Sequence, residues 1–215
     1  AGLEVDTYIW KERGGKGKTF TSLTSFPITD LRSTMGTRYY VATDVGKNKF
    51  FVKEFFYSWL SPNRNYELAV GEYKRGRKVS ENLEISDYVV CPLALYRNFL
   101  IFPYFDMADI RTINNETGAV PVKDNIIKII FGTAVGIYDK IGPFDFNANN
   151  ILYNYDTEEI KFIDFEPVTA AFTDALFRDR FKQIAYQYSH ICPIGSIEEI
   201  REGKGFVMEE DNANG

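Results

Sequence analysis

Phe144-Asp145-Phe146-Asn147-Ala148-Asn149-Asn150-Ile151-Leu152 sets a carboxylate, Asp145, and a carboxamide, Asn150, five positions apart in a polar loop bounded by aromatic and aliphatic residues. That spacing lets one loop offer a carboxylate to a hydroxyl group and, about one turn later, an amide oxygen to a hard cation such as magnesium. Two short apolar runs follow, Ile151 to Tyr155 and Ile160 to Ile163, separated by Asp156-Thr157-Glu158-Glu159, and this pattern predicts a β-hairpin. The hairpin ends on Phe162-Ile163-Asp164-Phe165-Glu166. Antiparallel pairing therefore returns Asp164 to the neighbourhood of Asn150, where both can ligate a metal bound to phosphate.

On the N-terminal side of the loop, Lys123 to Ile141 carries Ile126, Ile127, Ile129, Ile130, Ala134, Val135, Ile137 and Tyr138, an apolar set broad enough for a mostly buried helix. Further upstream the pattern is strand-like over Ile28 to Arg32, Arg38 to Thr43 and Phe50 to Phe55, with Asp44 to Asn48 as a turn, which predicts a small antiparallel meander. A helix is expected over Tyr66 to Asn82, after the break at Ser61-Pro62-Asn63. Two more strands are expected over Asp87 to Leu95 and Asn98 to Phe105, and a helix over Phe172 to Tyr188.

Asp145 to Asn150 followed by Ile-Leu, then Ile-Asp-Phe-Glu, resembles the catalytic and metal-binding loops of the protein-kinase-like superfamily. The Asp164-Phe165-Glu166 form is most similar to the aminoglycoside and choline kinase branch, whereas ordinary protein kinases carry Asp-Phe-Gly. The resemblance runs from about Ile28 to Pro167. It implies an α+β, two-lobed fold: a small antiparallel N-lobe sheet with one helix over 26–105 and a reduced, mainly helical C-lobe over 106–208. An irregular arm over 1–25 and a frayed tail over 209–215 complete the expected division.

The same resemblance implies ATP and Mg2+ as cofactors and assigns roles. Asp145 would act on an acceptor hydroxyl, and Asn150 and Asp164 would hold the metal. Lys53, in the strand Phe50-Phe51-Val52-Lys53-Glu54-Phe55, would neutralise phosphate. Its glutamate partner would come from the following helix. Glu67 and Glu72 both lie there, about 140° apart around a helix, and spacing leaves the choice open with Glu72 slightly favoured. Adenine would lie against Phe102-Pro103-Tyr104-Phe105-Asp106, between the lobes. Ser33-Thr34-Met35-Gly36-Thr37 would cover the phosphates with a single glycine, Gly36.

The histidine common two residues before the catalytic aspartate is Pro143 here, and the chain's one histidine is His190, read as structural. The implied activity is an atypical kinase moving the γ-phosphate to a hydroxyl of a protein or small molecule. Two other readings stay open: a nucleotide-binding pseudokinase acting as a binding module, and an AMP transferase on the same fold.

Composition narrows the partners. The 215 residues include 18 Phe and 14 Tyr at 45% hydrophobic content, enough for a packed core. A formal charge of -5 and a pI near 5.1 give no general reason to expect nucleic acid or an anionic membrane as partner. The basic strip Lys74-Arg75-Gly76-Arg77-Lys78 reads as a solvated helix face. Gly14-Gly15-Lys16-Gly17-Lys18-Thr19 imitates the end of a phosphate-binding loop, but Glu12 replaces the required earlier glycine, so it is read as a decoy. Cys91 and Cys192 lack metal-site spacing and are expected to be reduced thiols. With no secretory signal order and no long apolar run, a cytoplasmic protein is expected.

Overall fold

The computed structural model describes residues 3–5, 8–10, 18–20, 23–27, 36–43, 47–118, 122–166 and 174–208. The chain divides into two compact units, Ala1–Arg77 with Val90–Asp106, and Lys78–Val89 with Met107–Gly215. Each is treated by itself.

The first unit holds short strands β1 (Leu3–Val5), β2 (Tyr8–Trp10), β3 (Lys18–Phe20) and β4 (Leu23–Pro27), then longer β5 (Thr37–Thr43) and β6 (Lys49–Phe55). Helix α1 (Pro62–Ser80) begins there, and β7 (Ala94–Tyr96) and β8 (Phe99–Pro103) complete it. Six of these strands form one antiparallel sheet in the order β1-β4-β5-β6-β8-β7, and β2 pairs with β3. The stretch 1–25, expected as an irregular arm, therefore carries strands. Each spans only three to five residues, too short to show a period of two. The expected strand at Ile28 to Arg32 lies outside the described residues, as does the tail. Lys18 and Thr19, at the end of the decoy glycine stretch, sit in a strand rather than at the start of a helix, so their amides have no phosphate-cradling geometry.

Alternation along β6 decides what each face of the sheet holds. Phe50 and Val52 join Tyr40, Ala42, Ala94 and Ile101 in one apolar cluster. Lys53, the residue after Val52, projects to the opposite face with Phe51 and Phe55. Helix α1 starts at Pro62, four residues earlier than the apolar pattern indicates, because Ser61 caps it: its Oγ accepts from the Arg64 amide at 3.3 Å, and proline suits the first helical position. Buried Asn65 then ties the helix to the end of β6, accepting from the Tyr57 amide at 2.9 Å and donating to the Tyr57 carbonyl at 3.1 Å.

The expected strand over Asp87 to Leu95 is corrected. Ser86–Tyr88 forms a 3-10 turn, and regular pairing begins only at Ala94. Val89 and Val90 are apolar because they are buried, and Pro92 has no N–H to give a ladder.

The second unit contains β9 (Ala108–Asp109), α2 (Ile110–Thr117), α3 (Asp124–Ile141), β10 (Ile151–Tyr153), β11 (Ile160–Phe162), α4 (Asp174–Tyr188), β12 (Ile191–Pro193), α5 (Ile197–Arg201) and β13 (Phe206–Met208). Helix α3 is apolar on most of its circumference and forms the centre of the core with Ile127, Ile130, Phe131, Ala134, Val135 and Ile137 fully buried. It stops at Gly142, whose φ of 70° suits glycine and whose N–H closes on the Tyr138 carbonyl at 2.8 Å. The chain then enters the loop that carries Asp145. Among the described residues, no helix is long and apolar enough to cross a membrane.

Candidate active site

Phe144 and Phe146 are each about 1% exposed, while Asp145 between them is half-buried. The two rings pack against Phe177 of α4 at 5.7 and 5.4 Å, and Phe146 meets Phe181 edge-on at 5.1 Å. Between these anchors the Phe146 amide donates to the Phe144 carbonyl at 2.9 Å, a three-residue turn with Asp145 at its centre. Aromatic packing thus holds the loop where Pro143 stands in place of the supporting histidine. His190 is exposed between α4 and β12.

A 3-10 turn at Ala148–Asn150 follows, capped by Asn147, whose side-chain oxygen accepts from the Asn149 amide at 2.9 Å. It aims Asn150 back at Asp145. The Asn150 Nδ2 donates to the Asp145 carbonyl at 3.0 Å and to its Oδ2 at 3.2 Å. With its nitrogen committed to Asp145, the amide keeps its oxygen as the atom able to accept or to ligate. Strands β10 and β11 pair Ile151 with Phe162, and the Ile163 amide extends the ladder by donating to the Asn150 carbonyl at 2.9 Å. Asp164 comes next, with φ of 68°. That left-handed conformation is one aspartate tolerates better than most residues, and it turns the chain sharply between the ladder and Phe165, which is buried in the core.

In the first unit Lys53 and Glu72 are 3% and 2% exposed. The ammonium lies 3.3 Å from Glu72 Oε1 and 3.2 Å from Oε2. The Lys53 ammonium also lies 5.0 Å from the Phe55 ring centre. Glu67 is on the exposed side of α1, bonded to Arg64 at 2.7 Å. Of the two glutamates that spacing left open, the structure pairs Glu72 with Lys53. The basic strip is not uniformly solvated: Lys74 and Lys78 are exposed, but Arg75 and Arg77 are half-buried. Burial lowers the pKa of Arg75, and the negative charge of Glu72 opposes that shift.

Tyr104 and Phe105 follow β8 and are half-buried, with the Lys49 ammonium 5.4 Å from the Tyr104 ring centre. Gly36 is buried for a reason the sequence did not show. A Cβ added there would fall 2.0 Å from Cε1 of Tyr57, so the missing side chain makes room for that ring. Ser33 to Met35, the rest of the expected phosphate-covering turn, lie outside the described residues. Gly36→Ala is expected to cost about 1–3 kcal/mol through overpacking, measured as a lower midpoint in chemical denaturation.

Asn147, Phe144 and Phe146 stand in the quoted loop, but sequence reasoning gave them no role in it. A signal existed: Asn147 stands one position before a turn-forming Ala-Asn-Asn, where asparagine is a preferred cap.

The donor set fits magnesium. Among the described residues no cluster of three or more His, Cys, Asp or Glu side chains forms a metal cage. Magnesium needs no such cage, because one carboxylate, one amide oxygen and substrate phosphates suffice.

No family model matches the chain, and none of the curated proteins does. Solved structures do match. The Rio2 kinase–ADP/Mg2+–phosphoaspartate complex from Chaetomium thermophilum superposes with a TM-score of 0.59 at 15% identity, covering 83% of this chain and 61% of that one. A second Rio2 kinase structure from the same organism gives 0.55 at 15% identity, covering 83% and 63%. This chain therefore spans about three-fifths of the length of either. The similarity shows the fold, α+β and protein-kinase-like, with a small antiparallel sheet and α1 in one unit and α2 to α5 in the other.

Proposed function

We propose that this chain is an ATP- and magnesium-dependent phosphotransferase, an atypical kinase acting on a hydroxyl. The observation that carries the reading is the second unit's loop and hairpin. There Asp145 is held by amides while Asn150 offers its oxygen, and the β10–β11 ladder delivers Asp164 one residue beyond its last bond to Asn150.

The Asp145 carboxylate would orient an acceptor hydroxyl and take its proton as the oxygen bonds to the γ-phosphorus and the bond from that phosphorus to the β–γ bridging oxygen breaks, releasing ADP. Asn150 and Asp164 would hold magnesium through their side-chain oxygens. Magnesium, when bound with ATP, supplies charge neutralisation on the phosphates. Lys53, paired with Glu72 in the first unit, would supply a second positive charge to phosphate. The tripeptide Asp164-Phe165-Glu166 favours a small-molecule kinase of the aminoglycoside and choline kinase kind. A protein acceptor is the other possibility the same chemistry serves.

The purified chain is incubated with ATP labelled at the α or the γ position, with and without magnesium, alone and with hydroxyl acceptors. Magnesium-dependent transfer of the γ label, lost in Asp145→Asn, supports the reading. Transfer of the α label would replace it with AMP transfer. Label that hydroxylamine releases would identify an acyl phosphate, the linkage found in the Rio2 complex, in place of a hydroxyl ester.

One observation favours a second reading. Gly36, the single glycine of the expected phosphate cover, is filled over by the Tyr57 ring, which suits a pseudokinase that binds nucleotide and acts through a partner. Nucleotide binding without any transfer from either labelled ATP would select it.

A further inference from the structure

We infer that Asn147 is a positioning residue for Asp145, the donor that fixes the rotation of its carboxylate. The inference rests on the proposed role of Asp145. The Asn147 Nδ2 donates to Asp145 Oδ1 at 2.9 Å, while Asn150 Nδ2 reaches Oδ2 at 3.2 Å. Each carboxylate oxygen therefore has its own amide donor. Rotation about the Cβ–Cγ bond of aspartate is otherwise broad, so two donors, one per oxygen, define a plane that the backbone alone does not set. Each oxygen keeps a lone pair for an incoming hydroxyl.

Asn147 can act this way because its own side chain is fixed from the other end. Its Oδ1 accepts from the Asn149 amide at 2.9 Å as the cap of the 3-10 turn. The amide thus links the turn that ends in Asn150 to the carboxylate of Asp145, using acceptor and donor at once. Among replacements of similar size, aspartate keeps the cap acceptor but loses the donor, and it faces one carboxylate with another. Alanine loses both functions. Asn150 does not substitute for Asn147, because its second hydrogen bond goes to the Asp145 carbonyl.

The test uses the full chain carrying Asn147→Asp or Asn147→Ala. Crystal structures of the wild type and both variants report the orientation of the Asp145 carboxylate whether or not the protein is active. In both variants the carboxylate is expected to turn or to split between two orientations, while the Phe144 and Phe146 anchors stay in place. Asn147→Asp retains the cap and guards against loss of the turn. With an acceptor in hand, kcat is expected to fall about 10- to 100-fold, the effect of a misplaced reacting group, with KM for ATP within about twofold of wild type. An unchanged Asp145 orientation in both variants overturns the inference. A wild type that transfers nothing from ATP overturns the proposed function instead, and the crystallographic comparison still decides the role of Asn147.

Discussion

Asp164→Asn is expected to lower kcat/KM for γ-phosphate transfer by about a thousandfold, near 4 kcal/mol of transition-state stabilisation, while leaving the fold intact. Asparagine is the informative replacement because it matches aspartate in shape and also tolerates the left-handed backbone found at this position, φ of 68°. What it removes is the negative charge that a magnesium ligand supplies. Alanine would be less clean: at positive φ it adds a backbone cost of about 1 kcal/mol to any loss of chemistry. Steady-state kinetics at several magnesium concentrations, beside a denaturation curve, separate the two effects. Turnover close to wild type in Asp164→Asn would remove Asp164 from the metal site and with it the proposed mechanism.

The second large effect concerns the buried pair in the first unit. Glu72→Ala removes the carboxylate that lies 3.2 Å from the Lys53 ammonium, at a position only 3% exposed, and unfolding free energy is expected to fall by about 3–5 kcal/mol. Replacing both partners together, Lys53→Met with Glu72→Leu, should recover most of that loss, because similar apolar volume needs no desolvation of charge. Recovery will be incomplete to the extent that Arg75 also draws on the charge of Glu72. The double variant is then a folded protein expected to transfer no phosphate. A double-mutant cycle in urea, run beside an activity assay, tests both parts. If the double variant matches the single one in stability, the pair is not an isolated ion pair. If it keeps full activity, Lys53 has no role on phosphate.

Much of the second unit could be read before any coordinates. The hairpin between Ile151 and Ile163 is bounded by strong turn residues, and its register follows once the two apolar runs are paired. The helix over Asp124 to Ile141 is apolar enough that its ends, at Lys123 and Gly142, are the only ambiguity. The choice between Glu67 and Glu72 resisted counting because the phase of α1 is set elsewhere. Asn65 fixes that phase through bonds to Tyr57 and Leu60, and nothing in the spacing from Lys53 reveals them. Asn147 stayed hidden for a related reason: residue type gives its capping tendency, but only the fold shows where its free N–H group points. The packing of Gly36 on Tyr57 could not be read from the sequence, because a glycine that yields space to a distant ring looks the same there as one that yields space to a ligand. Helix α2 escaped notice because Ile110 is its only fully buried residue, and its start depends on Asp109 accepting from the Thr112 amide at 2.9 Å.

The aromatic anchoring of Asp145 bears on how the protein fails when heated. Many enzymes lose activity well below their melting temperature, because reactive groups sit on loops that open by local fluctuation. Here the residues on either side of Asp145 are core residues, packed on Phe177 and Phe181 of α4. The loop cannot fray without exposing two fully buried rings, so its opening free energy lies close to that of the unit's core. Inactivation and melting of the second unit should therefore share one temperature, and changes in α4 that soften the core should lower both together.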